Sequence, residues 1–251
     1  MISMRTCVRV VLGVVIVGFA ALVRPSSAEA CGCGGTVSSS TAFNGADLVF
    51  VGSVARLDGP KPTSRVNADG SISAGLGTEP PVATIEVAHM FRGRAARQVV
   101  VTGDGTSCDE PFKQGETWLV YARIREGGVT TDKCTRTRPR AEATQDLVYL
   151  EGLEQGRQQG IVYGDVLQRI VGADNQRALQ ALFEPLQVIA VGGGRRVETT
   201  TDKWGPYQLV LPPGDFEIWV ERAGRAVAPR QVVRVEHGSD RRLLLAVEYK
   251  N

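Results

Sequence analysis

"ADLVFVGSVARL", residues 46–57, alternates apolar with small or polar side chains over a length that suits one half-buried β-strand. The same rhythm returns in "PVATIEVAHMF" (81–91), "RQVVVTG" (97–103) and "TWLVYARI" (117–124), so the first half of the chain is expected to be mostly β. Between the first two strands, residues 58–81 are dense in Gly, Pro, Ser and Asp-Gly pairs, which predicts a long exposed loop or a protruding hairpin. Downstream, "PRAEATQDLVYLEGLEQG" (139–156) carries Leu147, Val148, Leu150 and Leu153 near helical spacing behind Thr144 as a cap, which predicts one closing helix. The glycine-rich, polar "EQGRQQG" (154–160) then reads as a connector between separable folded units.

Everything beyond the connector reads as short strands again, in "GIVYGDVLQ" (160–168), residues 184–224 and "QVVRVEHGSDRRLLLAVEY" (231–249). Seven strands in so short a stretch argue for a β-sandwich. Asp202 to Gly205 is expected to make a tight turn that pairs "TTT" (199–201) with "YQLVL" (207–211), and Pro212-Pro213-Gly214 the next reversal. "ADNQRALQALF" (173–183) reads as a short helix between the first strands.

At the other end, Arg5 and Arg9 precede an apolar run over residues 10–23, and a polar step leads to the small-residue triplet Ala28-Glu29-Ala30, the layout of a secretory signal peptide. The run holds 14 residues against the roughly 20 that a spanning helix needs, and no later segment is long and apolar enough to cross a bilayer. A lipoprotein signal also ends at a cysteine, but it favours Leu three residues earlier, where this chain has Ala28. The expected organisation is therefore a leader over 1–30, a first domain over 31–156 and a second over 157–251, in a protein that is secreted, extracellular or periplasmic. The leader removes three Arg and one Glu from the chain's 29 basic and 27 acidic residues, so the mature chain is formally neutral. Without a basic run it has no electrostatic ground for binding nucleic acid or an anionic membrane.

Five cysteines become four when Cys7 leaves with the signal, and an exported chain meets conditions in which disulfides persist. A bridge between Cys31 and Cys33 would close a strained ring, so each is expected to reach one of Cys108 and Cys134. A four-thiolate zinc site would want two tight pairs, whereas Cys108 and Cys134 stand 26 residues apart. The two histidines, His89 and His237, have no partner set that suggests a metal site or a nucleophile–base pair, and no catalytic arrangement or bound cofactor can be argued.

Taken together, "CGC" at the new terminus, "TAFNGADLVFVGSV", "IEVAHMFRG", "TSCDEPFKQGETWLVYA" and "DKCTRTRP" resemble the inhibitory domain of the tissue inhibitors of metalloproteinases, over about residues 31–153. The resemblance implies a five-stranded barrel of the oligonucleotide/oligosaccharide-binding type, also called the netrin module, with bridges Cys31–Cys108 and Cys33–Cys134. It also implies that the free amine and carbonyl of Cys31 chelate the zinc of a target metalloprotease; an amine pKa near 8 makes deprotonation on the metal inexpensive. The family's third bridge is missing, with Asn44 near its first position. The next residue also departs: family members place Thr or Ser after the first cysteine and push it into the specificity pocket, and Gly32 has nothing to push. Cys33 and the edge formed by Thr106, Ser107 and Cys108 are the expected flanking contacts. The second region, with Leu186, Val188, Tyr207, Leu209, Phe216 and Ile218 at its core positions, resembles the carboxypeptidase regulatory-like module, a transthyretin-like sandwich without catalytic residues, expected to space or display the first domain. The partner is then a zinc metalloprotease or, for a non-inhibitory netrin-like module, another extracellular protein or a glycan.

Overall fold

The computed structural model describes residues 31–59, 62–66, 72–76, 80–103, 108–171, 177–181, 184–202 and 205–247. Contacts divide the chain into Met1–Gly32 and Cys33–Asn251. Among the described residues, the regular elements all lie in the second unit. Its first half contains helix α1 (Ser39–Gly45) and strands β1 (Leu48–Asp58), β2 (Pro62–Val66), β3 (Ile72–Leu76), β4 (Val82–Arg92), β5 (Gln98–Thr102), β6 (Thr117–Arg125), β7 (Gly128–Thr130) and β8 (Arg138–Pro139). A single 3-10 turn, Arg140–Glu142, runs into helix α2 (Thr144–Glu154).

Five of these strands close a barrel in the order β1-β4-β5-β7-β6, with β6 returning to pair with β1. All contacts are antiparallel except β5 with β7. Numbered within the barrel, that is the order 1-2-3-5-4-1 expected of the oligonucleotide/oligosaccharide-binding type. Phe50, Val54, Ile85, Val101, Trp118 and Val120 fill the interior. The bend that closure demands is made at bulges where β1 meets β4. One falls at Gly52, where a Cβ would stand 2.6 Å from the Glu86 carbonyl oxygen, so only glycine fits. The segment over 58–81 takes the hairpin form of its expectation, β2 pairing with β3.

The second half contains β9 (Gly160–Val171), β10 (Arg177–Ala181), β11 (Gln187–Gly192), β12 (Arg195–Thr200), β13 (Pro206–Leu211), β14 (Gly214–Arg222), β15 (Arg225–Ala226), β16 (Gln231–Val235), β17 (Asp240–Arg242) and β18 (Leu245–Val247). Seven of these ten are five residues or longer, and one of the seven is β10, which the sequence did not mark as a strand. They form a sandwich of two sheets, β10-β9-β13 with β17 and β18, facing β12-β11-β14-β15 with β16.

Three local expectations are corrected. The segment read as a helix contains β10, because the long β9 offers its second half as a pairing partner and the ladder outweighs helical propensity. Thr144 is the first helical residue and not the cap; the position before it is the fully buried Ala143, with no side-chain cap bond. The turn at Asp202 and Gly205 does not join a hairpin: β12 pairs with β11 and β13 with β9, so the chain crosses there from one sheet to the other. Gly205 sits at φ +99°, and a Cβ on it would meet the Val166 carbonyl oxygen at 2.3 Å.

The β9–β13 sheet is covered on both faces. Val162, Val166, Tyr207, Leu209 and Leu211 point into the sandwich core. Ile161 and Val210 point the other way, into a second core with Val49, Val51, Leu119, Tyr121 and Leu150 of the barrel wall and α2. The connector over residues 153–158 is exposed, while the regions it joins share this apolar seam.

Candidate functional site

Residues 33–41 run between the barrel and the sandwich, and both hold them. Cys33, exposed, is bonded to Cys134 with an S–S distance of 2.10 Å and a Cα–Cα distance of 5.3 Å. That bridge takes both sulfurs out of thiolate chemistry. Cys134 lies on a turn made by Asp132, whose Oδ1 accepts from the Cys134 N–H at 2.8 Å. Thr131 and Thr137 fasten the turn to β6, their hydroxyls 2.7 Å apart and both bonded to the Tyr121 backbone. The Lys133 N–H donates to the Cys108 carbonyl at 2.9 Å, so the loops carrying Cys108 and Cys134 lie side by side at one end of the barrel. Cys31 and Cys108 are each disulfide-bonded as well.

Four residues along, the Val37 carbonyl accepts from Arg136 Nη1. The rest of that guanidinium forms a fork on Asp146 of α2, with Nε–Oδ1 at 2.6 Å and Nη2–Oδ2 at 3.1 Å. Both side chains are almost wholly buried. Tyr121 completes the group by donating its hydroxyl to Asp146 Oδ1 at 3.0 Å. Burial, reinforced by the Asp146 charge, pushes that phenol well above its ordinary range and keeps it a donor. Arg136 itself sits at φ 78°, a left-handed conformation that a non-glycine residue keeps only when its surroundings enforce it, here the bidentate ion pair and the carbonyl.

The sandwich supplies the other contacts. Thr36 donates to Asp165 Oδ1 of β9 at 2.6 Å. Ser38 caps α1, accepting from the Thr41 N–H at 3.1 Å. Ser39, fully buried, donates its N–H to Gln208 Oε1 of β13 at 2.8 Å and accepts from Gln208 Nε2 at 2.8 Å. Asp240 Oδ2, at the start of β17, accepts from Ser38, from Ser40 at 2.6 Å and from Thr41 at 3.0 Å. The anchors of residues 36–41 therefore come mainly from the second half of the chain.

Of the residues expected to form an inhibitory edge, Cys33 and Cys108 come together at one barrel end through the turn of Cys33's disulfide partner Cys134, and Thr106 and Ser107 lie outside the described residues. Gly32 is exposed with φ outside the left-handed region, so a side chain there is compatible with the backbone. Sequence reading missed Arg136, Asp146, Asp165, Gln208 and Asp240, although Arg136 lies inside the quoted "DKCTRTRP". Next to Cys108 and Asp109 it also missed Glu110, whose carboxyl is pushed up to about 7 by burial, against the pull of Lys133 and Arg138. Glu110 Oε1 is buried without a hydrogen-bond partner among the described residues. His89 bonds Glu154 at 2.9 Å on the exposed surface, and His237 accepts from the Gln159 N–H at 3.3 Å.

The chain matches no described protein family and no curated protein. Among solved structures it is similar to the Bacillus anthracis TIE protein, at 12% identity and a TM-score of 0.27 over 81% of this chain, spanning about a third (35%) of that protein's length. The major pilin protein (T3.2) of Streptococcus pyogenes serotype GAS13637 follows at 8% identity and a TM-score of 0.16, over 82% of this chain and 92% of that one. Likenesses this slight carry no argument about function. Among the described residues no helix is long and apolar enough to cross a membrane.

Proposed function

We propose that the mature chain, freed of its leader before Cys31, is an exported protein that inserts its N-terminal residues into the active-site cleft of a zinc metalloprotease, with the Cys31 amine and carbonyl taking the metal. In this reading Cys31 pairs with Cys108, the barrel is of the tissue-inhibitor or netrin kind, and the sandwich is a carboxypeptidase regulatory-like module. The observation that carries it is the fixation of the strip that follows the terminus: a disulfide at Cys33, a buried ion pair at Val37 and side-chain anchors at every residue from Ser38 to Thr41. A chelating terminus gains affinity when its ordering cost is met before encounter, and such fixation supplies that.

A second reading, a non-inhibitory extracellular binding module, is favoured by one residue. Gly32 leaves a specificity pocket unfilled and forfeits apolar contact of about 1–3 kcal/mol. Both readings are tested by assaying the mature protein against a panel of zinc metalloproteases alongside a form extended by one residue before Cys31 and Gly32→Thr. The chelation mechanism expects the extension to abolish inhibition and the threonine to tighten it. Inhibition indifferent to the extension refutes chelation, and inertness of all three forms favours the binding module.

A further inference from the structure

We propose that Gln208 and Asp240 are positioning residues, by which the C-terminal sandwich sets the strip that the proposed inhibitor inserts. The inference rests on the inhibitory reading for its purpose and on geometry for its content. Gln208 lies on β13, whose neighbours Tyr207 and Leu209 face the sandwich core while Gln208 itself, 3% exposed, faces the barrel. Its amide satisfies the Ser39 N–H and hydroxyl together, each at 2.8 Å. A helix-start N–H buried at this depth has no water to turn to, so losing the acceptor leaves it unpaired. Asp240 takes three hydroxyls of the same turn on one oxygen, tying Ser38, Ser40 and Thr41 to the start of β17.

The barrel's own anchors on the strip are spaced, at Cys33 and Val37, and its next hold is on α1, where Arg92 of β4 donates to the Phe43 carbonyl at 3.1 Å, so the turn over residues 38–41 takes its long-range side-chain bonds from the sandwich. If the docking geometry is one state among several open to the strip, affinity falls by the fraction of molecules that hold it. A sandwich that only spaced or displayed the barrel would not touch the strip at all.

The test uses the full mature chain as wild type, Gln208→Met, which keeps side-chain length without hydrogen bonds, and Asp240→Ala, an exposed change that empties no core. Amide hydrogen exchange is read for residues 36–42 and, as internal reference, for β6 and β14. The expected result is faster exchange in 36–42 by about tenfold in Gln208→Met and about threefold in Asp240→Ala, with both reference strands unchanged. Exchange over 36–42 that stays at the wild-type rate in both variants overturns the proposal, and so does acceleration that is equal in the strip and the reference strands of Asp240→Ala. For a metalloprotease that wild type inhibits, both variants should also weaken inhibition by the factor seen in exchange. Selective exchange in a protein that inhibits no metalloprotease sinks the inhibitor reading and leaves the positioning role standing.

Discussion

The barrel and the sandwich grip the same nine residues with different chemistry. On the barrel side the hold is covalent and ionic: Cys33 to Cys134, then Arg136 forked on Asp146 with a third donor on Val37. From the sandwich come neutral and hydroxyl contacts, Gln208 to Ser39 and Asp240 to a cluster of Ser and Thr. A buried guanidinium–carboxylate pair tolerates no half-measures, because removing one partner strands the other charge. Hydroxyl contacts onto a partly hydrated carboxylate give way more gently. The barrel thus fixes the strip at Cys33 and Val37, and the sandwich holds the turn over residues 38–41 that leads into α1.

The contrast can be broken first at its strongest point. Arg136→Met leaves Asp146 buried and unpaired, which should cost about 3–5 kcal/mol. For a chain of this size that lowers Tm by roughly 10–15 °C in calorimetry. A drop under 3 °C would mean that the ion pair is not the barrel's hold. The seam is probed next by two changes on adjacent residues of β13. Leu209→Ala, in the sandwich core, should cost about 2–5 kcal/mol, and Val210→Ala, facing the barrel, about 1–2 kcal/mol. A Val210→Ala protein as stable to urea as wild type would show that the seam between the halves is not packed.

The smallest effect is expected at Glu110. An unfolded glutamate ionises near 4.5, whereas in the fold this carboxyl holds its proton up to about 7. The folded state binds that proton more tightly, so stability falls as pH rises from about 4.5 to 7 and stays lower above. Glu110→Gln removes the dependence: Tm should rise by a few degrees at pH 8 and be unchanged at pH 4. A gain equal at both pH values would exclude ionisation as the cause.

Strand positions in the barrel were legible in the sequence because burial leaves a period. Val54, Ile85 and Val101 face inward from strands whose alternate residues meet solvent or the seam. The cysteine pattern was legible because oxidised cysteines must pair, and Cys33 with Cys134 is present as the resemblance implied. The seam was not foreseen, although "YQLVL" signalled it: five consecutive residues with no exposed member argue for a strand covered on both faces, and the buried Gln208 in their midst needs partners. Asp165 and Asp240 carry no local signal, since a surface aspartate bound to hydroxyls 129 and 199–202 positions away looks like any other in one dimension. The helix misread at β10 has the same origin, a short segment whose state is decided by a distant partner strand.

What most directly tests whether the strip is held by a single body is the cooperativity of unfolding. Trp118 lies in the barrel and Trp219 on the sandwich, and the third tryptophan, Trp204, belongs to the second half of the sequence, so Trp118→Phe and the double change Trp204→Phe/Trp219→Phe restrict fluorescence to one half or the other. Their denaturant transitions, compared after correction for each variant's own calorimetric stability, should coincide with far-ultraviolet dichroism. Calorimetry of wild type should give one peak whose van't Hoff and calorimetric enthalpies agree. Two resolved transitions, with the barrel unfolding while the sandwich persists or the reverse, would contradict the shared seam and the two-sided grip that depends on it.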